Sequence, residues 1–114
     1  MSEKLIARYR HIVTNVVSSD HRVREGIEQY KAEFRLADGS NLRVSEVYID
    51  RVLTKYSYYW LDESDKLISG WDNAPHHPEI KSHPHHLHVG VEVHESSVRN
   101  LADVLALLAE RLSK

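Results

Sequence analysis

The chain has 114 residues, 41% hydrophobic and 28% charged; this fits a single folded domain spanning 1–114 and excludes a disordered chain. Its formal charge of −2 with neutral histidines gives no global attraction for nucleic acid and leaves room only for a small, focused site. It has no cysteine, which excludes disulfides, thiolate metal sites and cysteine nucleophiles. No apolar run approaches the roughly 20 residues that span a bilayer, and Met1-Ser2-Glu3-Lys4 does not open a signal peptide, so a cytoplasmic protein without membrane contact is expected.

Leu5, Ile6, Tyr9, Ile12, Val13, Val16 and Val17 recur at helical spacing and predict an amphipathic helix near 3–17, with a strand from Ile12 onward as the competitor. The charged stretch 20–28 reads as a loop or short helical turn, most simply a solvated one, though Arg22, Arg24 and Arg35 are placed to meet a partner or phosphate. Ala32, Phe34 and Leu36 alternate with Lys31, Glu33 and Arg35, the period of a half-buried strand. Asp38-Gly39 marks a hairpin, and Leu42, Val44, Val47 and Ile49 form the return strand, with a bulge expected where the alternation slips at Ser45-Glu46. Tyr56, Tyr58 and Trp60 define a third strand, Asp62 to Asp65 a polar turn, and Leu67 to Trp71 a fourth strand. Pro75, Pro78 and Pro84 keep 74–85 from being helical. A strand over 86–94 follows, with Leu87, Val89, Val91 and Val93 on one face and His86, His88, Gly90, Glu92 and His94 on the other. The closing pattern Val98, Leu101, Val104, Leu105, Leu108, Leu112 predicts a helix capped by Ser96 or Ser97. The expected fold is α+β: an antiparallel meander of about five strands with N- and C-terminal amphipathic helices packed on one face.

Seven of the nine histidines lie within the nineteen residues from His76 to His94. Histidine alone has an unperturbed pKa near neutrality, so the cluster suits proton transfer, metal binding or a pH-dependent charge. Side chains two apart on a strand share a face roughly 7 Å apart, which makes His86 and His88 neighbours. The loop carrying His76 and His77, which follows Asp72-Asn73, is placed to fold over that face.

Three chemistries fit. In metal-free acid–base catalysis one imidazole takes a proton and another gives one, and RNA cleavage suits this because the 2′-hydroxyl is an internal nucleophile. Asp72 then orients an imidazole, and Asn73 or Lys81 binds phosphate oxygens. In the second, His86-x-His88 chelates a divalent transition metal such as zinc. The third is a pH-sensing surface without catalysis. A His-rich loop is also often merely solvated, and His11, His21, His83 and His94 read as peripheral. The aromatic group Tyr56, Tyr58, Tyr59 and Trp60 suits base stacking, with Tyr58 and Trp60 the substrate-binding candidates, although such aromatics ordinarily pack in the core, and either Tyr56/Tyr58/Trp60 or Ser57/Tyr59/Leu61 must face away from it.

Four segments carry a family resemblance: Asp38-Gly39-Ser40, Tyr56-Ser57-Tyr58-Tyr59-Trp60, Trp71-Asp72-Asn73-Ala74-Pro75-His76-His77 and Pro84-His85-His86-Leu87-His88. Over about 36–90, and more loosely into the final helix, the chain resembles the TumE-type toxins of prokaryotic toxin–antitoxin systems. The resemblance implies a growth-inhibiting toxin acting on RNA, with a cognate, DNA-binding antitoxin as partner. It carries over Asp72, Asn73, His76, His77, His85, His86 and His88, and it implies a basic residue where this chain has Gly70. The combined expectation is a metal-independent ribonuclease with no cofactor. Its catalytic residues are His76, His77, His86, His88, Asp72 and Asn73, and its substrate contacts are Lys81, His85, Tyr58 and Trp60. A metal-binding His/Asp protein and a non-enzymatic interaction module are the alternatives, and a homodimer is compatible with the pattern.

Overall fold

A computed structural model describes residues 2–113. The elements in chain order are α1 (Glu3–Arg8), β1 (Val13–Arg24), β2 (Ile27–Leu36), β3 (Asn41–Ile49), β4 (Val52–Leu61), β5 (Leu67–Asp72), β6 (His86–Val89), β7 (Glu92–Glu95) and α2 (Leu101–Leu112). The seven strands form one antiparallel sheet whose spatial order equals their order in the chain. The α+β meander is as expected, with seven strands in place of about five.

Both added strands have a local cause. The first helix stops at Arg8 instead of running to 17, because the β-branched run Ile12-Val13-Thr14 and Val16-Val17 favours extended backbone. The competing strand is therefore the one that forms, and it continues through the charged stretch to Arg24 before turning at Glu25-Gly26, where both φ values are positive (50° and 79°). At the other end of the sheet, Gly90 adopts φ +59° and folds the expected 86–94 strand into a hairpin, His88 facing Val93 and Leu87 facing His94. The shared valine face therefore ends at Val89, and Val91 is fully exposed at the turn.

The core lies on one side of the sheet. Tyr30, Ala32, Phe34 and Leu36 from β2, Leu42 and Val44 from β3, Tyr56, Tyr58 and Trp60 from β4 and Trp71 from β5 pack with Leu101, Val104, Leu105 and Leu108 of α2. Leu5 and Ile6 of α1 pack against the rim of the same cluster. Helix α2 is capped by Asn100, not by Ser96 or Ser97: the Asn100 side chain accepts from the Asp103 N–H, while Ser96 Oγ accepts from the Val98 N–H one turn earlier.

The bulge expected at Ser45-Glu46 is absent, since β2 and β3 pair in unbroken register there; the shift lies between β3 and β4 at Val47/Tyr48. Glu46 keeps the inward phase although it is charged. It is buried and accepts from Tyr58 Oη at 2.6 Å and Tyr48 Oη at 3.3 Å. Burial raises its pKa, and those two hydrogen bonds pull the other way. No described helix is long and apolar enough to cross a membrane.

Candidate active site

Cross-strand partners share a sheet face, so the register defines what surrounds the histidines. On the face away from the helices one row runs Lys31, Ser45, Ser57, Asp72, His86, and the next runs Glu33, Arg43, Tyr59, Gly70, His88. Asp72 stands at the end of β5 directly opposite His86, while His88, two residues further along β6, faces Gly70.

Among the described residues the Asp72 carboxylate meets two imidazoles and a backbone amide, with the Tyr59 phenol beside it. Its Oδ1 accepts from His86 Nδ1 at 3.2 Å and from the Ala74 N–H at 3.2 Å, and its Oδ2 accepts from His88 Nε2 at 2.8 Å. With the carboxylate ionised, these partners assign the protons. His88 carries its proton on Nε2 and leaves Nδ1 as a lone pair; His86 carries it on Nδ1 and leaves Nε2 as a lone pair.

The two imidazoles differ in access. His86 is buried, 1% exposed, and its Nε2 has no hydrogen-bond partner, while the His88 side chain is 24% exposed. A buried acceptor without a partner is costly and uncommon in a native interior.

The loop over 74–85 closes this corner. His77 packs edge-on against His86 with ring centroids 5.3 Å apart and stands 6.5 Å from the His88 ring. Its Nδ1 bonds Glu79 Oε1 at 3.0 Å, so its free nitrogen is Nε2. His88 and His77 are therefore built alike: one nitrogen on a carboxylate, the other in no hydrogen bond among the described residues. His83, read as peripheral from sequence, also reaches this corner, its ring 6.0 Å from His86.

The other site candidates lie elsewhere. His76 is exposed and its side chain makes no hydrogen bond among the described residues. Asn73 spends both ends of its amide on backbone, Oδ1 accepting from the Tyr56 N–H at 2.9 Å and Nδ2 donating to the Thr54 carbonyl at 3.0 Å. Lys81 is exposed on the loop. His85 points to the helix side, where its ring stacks on Tyr56. Tyr56 Oη donates its one proton to the Val98 carbonyl at 2.9 Å, so the 2.7 Å contact requires His85 Nδ1–H as donor. Burial, with Arg99 and His86 nearby, lowers the His85 pKa. Tyr58 and Trp60 are core residues on the helix side, 0% and 7% exposed; neither borders Asp72.

Sequence reasoning missed Glu79, and it grouped Tyr59 with the other β4 aromatics as a base-stacking candidate without placing it beside Asp72. Tyr59 belongs to the set of β4 residues facing away from the core, and it sits over Gly70: a Cβ built there would lie 2.6 Å from Tyr59 Cδ1. Burial, and then the Asp72 carboxylate beside it, raise the Tyr59 phenol pKa. The signal for Tyr59 was in the alternation, once the core set was known. Glu79 had the weaker signal of standing two residues after His77.

The family model for Toxin TumE matches residues 2–112. The chain belongs to the TumE toxin family. Membership covers nearly all of the chain, including α1 and β1, which lie outside the stretch that carried the resemblance, and it gives the chain a toxin role. No curated protein and no solved structure matches the chain.

Proposed function

We propose that this member of the TumE toxin family is a ribonuclease that works without a metal, with His77 and His88 exchanging the protons. The observation that carries the reading is the pair of carboxylate-held imidazoles, His88 on Asp72 and His77 on Glu79, with ring centroids 6.5 Å apart. That separation is about two hydrogen-bond reaches, which lets both free nitrogens address oxygens on one phosphorus.

In the reaction, the neutral imidazole removes the proton of a ribose 2′-hydroxyl, whose oxygen attacks the adjacent phosphorus. The other imidazole, protonated, delivers a proton to the departing 5′ oxygen. The products carry a 2′,3′-cyclic phosphate and a 5′-hydroxyl. Asp72 fixes the tautomer of His88 and stabilises its charged form, the service a carboxylate renders in hydrolase triads. His86 braces the other oxygen of Asp72 from beneath, and Asn73 fixes the strand end that presents Asp72. The partner that restrains such a toxin is a cognate antitoxin, for which a small DNA-binding protein encoded next door is the form we propose.

Purified chain incubated with RNA in EDTA should release fragments with cyclic phosphate ends, with a bell-shaped rate profile between about pH 5 and 8. His88→Ala or His77→Ala should each lower the rate by about 10²–10⁴-fold in a folded protein. An absence of cleavage across that range removes the metal-free reading.

A second reading rests on the same corner. Asp72, His86 and His88 each offer one ligand atom, all within 4.8 Å of one another, a spacing that suits a divalent transition metal such as zinc. The nitrogens facing Asp72 must then lose their protons, so metal and proton compete for the site. Stoichiometric zinc, nickel or manganese in untagged protein would favour this reading over the metal-free one.

A further inference from the structure

Helix α2 packs on one face of the sheet with α1 at its rim, and the opposite face is open over β1 to β4, the loop over 74–85 closing only its far corner at His86. On that open face the strands β1 to β4 carry Arg22, Arg24, Lys31, Arg35, Arg43 and Lys55 against Asp20 and Glu33 alone. On their helix side the same four strands carry Glu28 and Glu46 and no lysine or arginine. A chain of formal charge −2 thus carries an excess of cations over the β1–β4 part of this face, which adjoins the β5–β7 end holding Asp72, His88 and Glu95. Arg22 is held by Asp20 at 3.0 Å and Arg43 by Glu33 at 3.3 Å, whereas Arg24, Lys31, Arg35 and Lys55 form no ion pair among the described residues.

The surface also has the shape of a track. Neighbouring strands lie about 4.8 Å apart, so Lys31, three strands from Asp72 along one cross-strand row, is about 14 Å away. Between them stand Ser45 and Ser57, small and half-buried, which keep the floor low. Tyr59 borders that floor one row over, half-buried, two strands from His88.

We infer that this open face binds single-stranded RNA, its phosphates on Lys31 and Lys55 and a base against Tyr59, and leads it to the Asp72–His88 corner. Cations track the backbone and a half-buried ring at the floor of the track stacks any base, the combination that holds single strands with little sequence preference. The choice of RNA over another polyanion rests on the phosphodiester chemistry proposed for the site.

The test uses an oligoribonucleotide of about twelve residues, 2′-O-methylated so that it lacks the nucleophile, with binding followed by fluorescence anisotropy across a salt series. The full chain should bind it with log K falling as log salt rises. Lys31→Ala with Lys55→Ala should weaken binding at least about tenfold at low salt and reduce the slope by about 1.4, at about 0.7 per phosphate contact. Arg8→Ala with Arg10→Ala removes the same charge from exposed positions off the sheet face and should leave affinity and slope unchanged. Equal losses in both double variants, or none in the first, overturn the inference. So does polyglutamate that displaces the oligonucleotide as well as unlabelled RNA does, which assigns the face to an acidic protein segment. Lysine-dependent binding accompanied by no cleavage of ordinary RNA would remove the acid–base proposal and leave this surface standing.

Discussion

Gly70 carries the sharpest residue-scale consequence. The family resemblance implies a basic residue there, and in this chain the space is filled from the neighbouring strand: a Cβ at Gly70 would stand 2.6 and 2.8 Å from Cδ1 and Cε1 of Tyr59. Such distances lie well inside van der Waals contact, so any side chain must move the ring. Gly70→Ala should therefore cost about 1–3 kcal/mol, and Tyr59→Ala should cost stability too by stripping cover from the strand. The double variant should lose less than the sum of the two, because the clash disappears with the ring. Urea unfolding of the four proteins measures this, and strict additivity would show that Tyr59 is not seated on Gly70. At this scale the site was partly legible. His86 and His88 share a face because strand alternation is local, and Asp72 and His77 were named from their nearness to that strand in sequence. What sequence could not show is which imidazole is buried, since His86 is covered by a loop whose path depends on rings 6.0 Å and 5.3 Å away, His83 and His77. Tyr58 and Trp60 were drawn toward the site by residue type alone, and the register turns them to the helices.

Among the elements, the junction of β4 and β5 is where the site acquires its rigidity. Strand β5 ends at Asp72, and the Asn73 side chain extends the ladder by one more step, bridging the Tyr56 N–H and the Thr54 carbonyl. Asn73→Ala removes both bonds and leaves two backbone groups to find new partners, a loss of about 1–3 kcal/mol. Asn73→Asp keeps the acceptor for Tyr56 but sets a carboxylate oxygen against the Thr54 carbonyl, so it should fall between wild type and Ala. Thermal unfolding of the two variants checks the order, and an Asp variant as unstable as Ala would show that the Tyr56 bond contributes nothing. The elements that sequence reasoning found share one property, a clean period bounded by turn chemistry: β2 and β3 around Asp38-Gly39, β4 before its polar turn, β5 after it, and α2. The misses each lack it. Strand β1 lies at the sheet edge with almost every residue exposed, and Ile12, Val13, Val16 and Val17 fit helical spacing as well as a strand, so the strand stood only as the competing reading. The 86–94 run has a period across Gly90 that the backbone does not follow. In β3 the apolar residues change phase from Leu42 and Val44 to Val47 and Ile49, but the backbone keeps its register, so Glu46 and Tyr48 face inward and Val47 and Ile49 outward.

For the molecule as a whole, that same Glu46 and the stacked His85 make stability depend on pH in opposite senses. Glu46 is buried among tyrosines, and its pKa is raised above 4.5 by that burial. The folded state then holds its proton more tightly than the unfolded chain does. The contribution is fully present below 4.5 and is lost as pH rises through the folded pKa. His85 runs the other way: its folded pKa is lowered from 6.5 by burial, so the neutral ring is favoured and stability is lost as pH falls below 6.5 toward the folded pKa. Between 4.5 and 6.5 the two effects run in opposite directions, so the wild-type curve carries both. Glu46→Gln separates them. It removes the titrating group while keeping the volume, and any cost of mismatched tyrosine hydrogen bonds is the same at every pH. The gap in melting temperature, variant minus wild type, should be smallest at pH values below 4.5 and should widen in favour of the variant as pH rises above it. The variant's own curve should climb with pH toward 6.5, exposing the His85 contribution alone. A gap that stays constant with pH would mean that Glu46 ionises as an exposed carboxylate does, and that the helix-side interior admits its charge without penalty.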